Sequence, residues 1–197
     1  MTPSGINAKS ILREQIRARL KSISPERRAA GSAQLCARLA AEKVFADAKT
    51  ILFFAPLAGE PDIWPLLPEK LAAGKTVALP RFDAAKESYV AAVVKNPATD
   101  LLAGKFGVRE PAAACPVVAL NQLDFILVPG VAFNLNGRRL GRGKGFYDRL
   151  LHSVSGATCG VAFDEQIVDA IPVEPHDICL THILTPTRWQ QASPARF

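Results

Sequence analysis

The chain has 197 residues, 49% of them apolar and 21% charged. That balance excludes a disordered chain, and the length suits one domain that builds its core without disulfide or metal staples. A net charge of +6 favours anionic partners such as nucleotides and polyanionic metabolites, but no run of five like charges and no basic stripe interleaved with aromatics points to nucleic acid.

Residues 7–21 alternate Ile11, Leu12, Ile16 and Leu20 with Lys9, Arg13, Arg17 and Arg19, which predicts a helix with one apolar stripe. Ser24 as cap, Pro25 at the first helical position and Glu26 near the positive dipole end predict a second helix, running to about Lys43 with Leu35, Leu39 and Val44 inward. Thr50 to Phe54 is an unbroken apolar run, as in a strand covered on both faces. A helix is expected over 62–72, a strand over 76–79 ended by Pro80, and another from Tyr89 to Val94. The Pro-, Gly- and Ala-rich stretch 95–123 offers only a short strand at Val117-Val118. Asp124 to Val128 reads as a buried strand, then come a glycine-rich loop, a helix from Gly145 to His152, and strands at 158–163 and 178–184. Strands separated by helices predict an α/β fold: a single layered domain over 1–197, with N-terminal helices 7–43 and a mainly parallel sheet flanked by helices over 50–190.

Cys36, Cys115, Cys159 and Cys179 contain no CxxC pair, so reduced, mostly buried thiols are expected. His152, His176 and His182 lack metal-cluster spacing and read as structural or surface residues. The chain has no apolar run of 18 residues and no secretory h-region; a cytoplasmic protein, probing no membrane, is the expectation.

The chemistry concentrates in the strand–loop–helix segment from Phe125 to Arg149. Gly141, Gly143 and Gly145 recur at every second residue, interleaved with Arg142 and Lys144. Glycine lets backbone amides approach a phosphate, and a following helix aims its positive end there. The spacing is neither a Walker A loop, because Arg138 and Gly145 stand where glycine and Ser/Thr are needed, nor a GxGxxG fingerprint, because Phe146 replaces the last glycine. From glycine spacing alone, an unfamiliar phosphate loop and a flexible turn both remain open.

Arg139-Leu-Gly-Arg-Gly-Lys-Gly-Phe-Tyr-Asp148 resembles the ATP-binding segment of 5-formyltetrahydrofolate cyclo-ligases. Weaker matches follow the family's order: Lys9-x-x-x-Arg13, Gly59-Glu60-Pro-Asp62 after a strand, Leu79-Pro80-Arg81, and His176-Asp177 before a late strand. The resemblance implies a cyclo-ligase fold of the NagB/RpiA/CoA-transferase-like type. It implies a monomer that closes 5-formyltetrahydrofolate to 5,10-methenyltetrahydrofolate with ATP and Mg2+. By position it assigns Lys9, Arg13 and the run Arg139, Leu140, Gly141, Arg142, Gly143, Lys144, Gly145, Phe146 and Tyr147 to ATP. Lys144 and Arg142 would serve the transferring group. Ala55, Glu60, Arg81, Phe106, Phe146 and Tyr147 would face the folate, and Asp148 and Asp177 would hold magnesium. The family pattern carries tyrosine where Phe146 stands, so a hydroxyl is missing there while apolar stacking is retained. The alternatives are a same-fold ATP-dependent enzyme for another small molecule and, from a different class, a nucleic-acid-binding module.

Overall fold

The computed structural model describes residues 5–85, 87–104, 108–174 and 177–192. Helices α1 (Gly5–Lys21), α2 (Pro25–Ala41) and α3 (Lys43–Asp47) open the chain. They are followed by β1 (Thr50–Leu52), α4 (Leu66–Ala72), β2 (Thr76–Asp83), β3 (Ser88–Val94), α5 (Pro97–Asp100), β4 (Leu101–Ala103), β5 (Arg109–Pro111) and β6 (Val117–Val118). The last third contains β7 (Phe125–Val128), β8 (Ala132–Phe133), β9 (Arg139–Leu140), α6 (Phe146–Leu151), β10 (Ala157–Val161), β11 (His182–Leu184) and β12 (Trp189–Gln191).

Eight strands form one mixed sheet in the order β12-β11-β10-β7-β1-β2-β3-β6. The five strands from β11 to β2 are mutually parallel, and antiparallel strands close both edges. The centre is parallel because its strands are apolar on both faces. Along β7, Phe125 and Leu127 join the cluster that contains Leu35 and Leu39 of α2, while Ile126 and Val128 join Leu150 and Leu151 of α6 on the opposite face. Helix α1 buries Ile16 against Val131, Ala132, Leu140 and Ile171, beside the sheet's working end. Among the described residues no helix is long and apolar enough to cross a membrane.

Several boundaries differ from the sequence reading. Ser24 does cap α2, accepting from the Arg27 amide at 3.3 Å, but the helix ends at Ala41. Glu42 turns extended (φ −79°, ψ 124°), and α3 then buries Phe45, leaving Val44 37% exposed. The expected 62–72 helix begins only at Leu66, behind Pro65. Residues 178–181 are not strand: Thr158 and Thr181 exchange backbone-to-hydroxyl bonds, and the Leu180 amide donates to Gly137 O. The hairpins β4–β5 and β8–β9 and the edge strand β12 had no clear periodic signal, being two or three residues per strand.

Pro80 does not end its strand. The Ala78 carbonyl accepts from the Phe53 amide on the β1 side, so two residues on, Pro80 also turns its backbone nitrogen that way. The next ladder bond in this register would run from position 80 to the Phe53 carbonyl; Pro80 has no N–H to make it, and the pairing with β1 stops at Leu52–Ala78. The strand continues to Asp83, paired along its other edge with β3.

Candidate active site

A cavity of about 360 Å³ opens where the chain leaves the carboxyl ends of β1 and β7 and passes Pro80 of β2. Ligands of open α/β sheets bind at such strand ends. Ala55, Glu60, Arg139, Gly141, Arg142, Lys144, Gly145, Phe146, Tyr147 and Asp148 all line it, so ten of the residues singled out by sequence are brought together.

One wall is the glycine loop. Arg139 is 4% exposed at its side chain. Its Nη2 donates to Asp148 Oδ1 at 2.5 Å, its Nη1 to Pro129 O at 3.4 Å, and its guanidinium faces the Tyr147 ring at 5.7 Å. Its Nε–H is buried with no partner among the described residues, a donor whose desolvation a ligand oxygen would offset. A Cβ on Gly141 would stand 2.9 Å from Arg139 Nη1, so glycine is what lets this arginine fold inward. Gly143 (φ +93°) and Gly145 (φ +65°) take left-handed conformations that turn the loop into α6. With only six residues, α6 offers a smaller dipole than the motif suggested, and the cations carry more of the wall's charge. Lys144 is exposed at the cavity, and among the described residues it forms no ion pair. Arg13 braces the loop from α1, Nε donating to Gly141 O at 2.9 Å.

The other wall is mostly apolar. Phe54, Ala55 and Leu57 follow β1. Tyr89 and Phe146 meet edge-to-face at 5.1 Å, with Phe82 against both at 5.6 and 5.8 Å. With Arg109 and Glu110 also in the lining, the buried acceptor here is Glu60, 8% exposed at its side chain. Its Oε2 accepts from the Leu57 amide at 2.9 Å and its Oε1 from Arg142 Nη2 at 2.5 Å. Tyr147 spans the walls. Burial first, then the Glu60 charge, pushes its phenol far above the usual tyrosine range, so it remains a protonated donor.

Other candidates lie elsewhere. Leu140 is core, packed with Ile16. Lys9 is ion-paired with Asp177 at 2.8 Å and Glu174 at 3.2 Å, and neither Lys9 nor Asp177 is among the described residues lining the cavity. Gly143 turns the loop without lining it. Arg81 donates through Nη1 to the carbonyls of Ala112, Ala113 and Cys115, holding a loop instead of facing the cavity. Phe106 lies outside the described residues. Sequence reasoning missed Phe54, Leu57, Tyr89, Arg109 and Glu110 in the lining; only the apolar run ending at Phe54 hinted at any of them.

Among the described residues no group of three His, Cys, Asp or Glu side chains could hold a metal. Magnesium needs only one or two carboxylates beside phosphates and water. Asp148 fits, since it lines the cavity and Arg139 engages one of its two oxygens. Asp177 does not fit as placed, because it is not in the cavity lining and its Oδ2 is taken by Lys9 and the Glu174 amide. The histidines stay apart from this chemistry: His152 is exposed, His182 stacks on Trp189, and His176 lies outside the described residues. All four cysteines are free thiols, three of them buried.

Residues 5–186 match the 5-formyltetrahydrofolate cyclo-ligase family. The 5-formyltetrahydrofolate cyclo-ligase of Mycolicibacterium smegmatis is 40% identical over 145 residues, covering 71% of this chain and 75% of that protein. The one from Escherichia coli K12 is 32% identical over 180 residues, covering 89% and 99%. The NMR structure of Aquifex aeolicus 5,10-methenyltetrahydrofolate synthetase superposes with a TM-score of 0.83 at 35% identity, covering 96% of this chain and 95% of that one. The 5,10-methenyltetrahydrofolate synthetase of Mycoplasma pneumoniae, 23% identical with a TM-score of 0.72 over 90% of this chain and 98% of that one, shares the fold. With the family model matched over residues 5–186 and relatives at 40% and 32% identity, the chain belongs to the 5-formyltetrahydrofolate cyclo-ligase family.

Proposed function

We propose that this chain closes 5-formyltetrahydrofolate to 5,10-methenyltetrahydrofolate at the expense of ATP, with the triphosphate on the glycine-loop wall and the folate rings on the aromatic wall. The observation that carries this is the facing of two unlike surfaces across one cavity. Lys144 and the unpartnered Arg139 Nε–H stand on one side, and Glu60 with Tyr89 and Phe146 on the other.

A formamide oxygen is a poor leaving group, and phosphorylation makes it a good one. The formyl oxygen attacks the γ-phosphorus, forming the O–P bond as the bond to the β-bridging oxygen breaks and ADP departs. N10 then attacks the formyl carbon and loses its proton, and the C–O bond breaks to release phosphate. Such transfer depends on positioning and charge neutralisation. Lys144 and Arg142 offset charge growing on the phosphoryl oxygens, and Arg139 Nε–H donates to one of them. Glu60 accepts from the amino-pyrimidine edge of the folate, while the aromatic wall takes its ring faces and excludes water. Magnesium bound with ATP through Asp148 would supply further neutralisation of the β- and γ-phosphates.

We also take the chain as one domain, because Lys9 near one end pairs with Asp177 near the other. We take it as a cytoplasmic monomer acting on small molecules, not on nucleic acid; the buried reduced thiols suit a reducing compartment.

The test is direct. Purified protein with 5-formyltetrahydrofolate, ATP and magnesium should generate the near-ultraviolet band of methenyltetrahydrofolate, and omission of ATP should abolish it. No band from folded protein that binds ATP would sink the folate assignment.

A further inference from the structure

A second recess of about 300 Å³ lies behind the cavity, between α1 and the 58–60 turn. Arg17, Lys21 and Arg28 line it, and it shares Glu60, Gly130 and Arg142 with the cavity. The Glu60–Arg142 ion pair therefore stands between the two spaces, joining residues 82 apart in sequence.

Its two halves are held very differently. Glu60 is buried and fixed: its amide donates to Leu57 O at 2.9 Å while its Oε2 accepts from the Leu57 amide at 2.9 Å. Arg28 clamps the same turn, donating to Gly59 O at 2.8 Å and to Leu20 O. Arg142 is 49% exposed and rides between Gly141 and Gly143. When the pair opens, Arg142 is the half that moves.

Opening is also cheap in charge. A buried carboxylate stripped of its paired cation is costly, but Arg17, Lys21 and Arg28 remain around the recess. ATP carries several negative charges against the single charge of Glu60, so a triphosphate on the glycine loop outcompetes it for Arg142.

We infer that Arg142 couples the two substrates: nucleotide draws it off Glu60, and the Glu60 Oε1 thus released is the acceptor the folate needs. Without nucleotide, Arg142 occupies that acceptor and holds folate affinity down. By linkage, folate must tighten nucleotide binding by the same factor. The coupling rests on the assignment of ATP and folate to the two walls.

The experiment measures 5-formyltetrahydrofolate binding by calorimetry to the full chain, with magnesium, with and without saturating adenylyl imidodiphosphate, so that no turnover occurs. The wild type should bind folate about tenfold more tightly with the nucleotide analogue. Arg142→Gln should bind folate more tightly than the wild type when nucleotide is absent, and should show no further gain when it is saturating. Thermal melting checks that this half-exposed substitution leaves the fold intact, and Arg142→Lys should restore part of the coupling. Equal tightening in wild type and Arg142→Gln, no tightening in the wild type, or weaker nucleotide-free folate binding in the variant would each overturn the coupling while leaving the function in place. No folate binding in any state would sink the substrate assignment and the coupling with it.

Discussion

The charged groups of the glycine-loop wall come from one short stretch of chain, residues 139–148, whereas the aromatic wall is gathered from the exit of β1, from β3 and from β5, with Phe146 lent to it by the loop stretch itself. The first carries Arg139, Arg142, Lys144 and Asp148 and is polar. The second turns mainly rings and aliphatic carbons to the cavity, with Glu60 as a fixed acceptor. On the proposed assignment the labour is divided: charge on one wall serves the transferring group, and shape on the other serves the ring system. Substitutions should therefore separate turnover from recognition.

The largest effect is expected at Lys144. Lys144→Ala removes the cation proposed to offset developing charge and should lower kcat by roughly 100- to 1000-fold, about 3–4 kcal/mol, with the melting temperature unchanged because the side chain is exposed. Initial rates at saturating substrates measure it. If KM for folate rose instead and kcat held, the division between the walls would be broken.

Next is Glu60→Gln, which keeps size but removes the charge proposed to accept from folate. A fall in kcat/KM for folate of about 10- to 100-fold is expected, about 1.4–2.7 kcal/mol, with a smaller change in KM for ATP. Steady-state kinetics with each substrate varied in turn would show it.

Legibility in the sequence followed the same division. Consecutive residues carry the glycine-loop wall, so its spacing could be checked against phosphate loops and its likeness to a family read directly. The apolar runs that became β1 and β7 were equally plain, because burial on both faces writes itself as continuous hydrophobicity. Tyr89 and Leu57 joined the cavity only through the order β7-β1-β2-β3, which no local pattern states. Lys9 and Asp177 were each assigned a ligand, yet a contact across 168 residues pairs them with each other. Arg81 could not be distinguished from a ligand-facing arginine until its three carbonyl partners were in place.

A small effect is expected from Phe146→Tyr. Packing of Phe146 on Phe82 and Tyr89 already supplies the ring surface, so kcat/KM should change by no more than about twofold, under 0.5 kcal/mol. A tenfold gain would show that a hydroxyl on the aromatic wall does more than shape.

The smallest lies outside both walls, at His182, stacked on Trp189 with centroids 4.7 Å apart. Burial lowers its pKa from the usual 6.5, so the folded state prefers the neutral ring. Its contribution to stability is complete above the unfolded pKa and is lost as pH falls through about 6.5 toward the folded value. Urea midpoints at pH 7.5 and 5 should differ less in His182→Gln than in the wild type.

Pro80 carries a further consequence. Beyond the end of β1, the even-numbered positions of β2 turn their backbone to the side that β1 has left, where no strand continues the ladder. Pro80 has no amide to offer, and the Phe82 amide is given to Glu110 Oε2 at 3.2 Å. The bare edge of the sheet is thereby deprived of the donors that would template another strand. A cleft that must stay open to solvent for its substrates is thus closed to stray polypeptide, and the enzyme keeps an accessible sheet margin without the aggregation hazard that such margins usually bring.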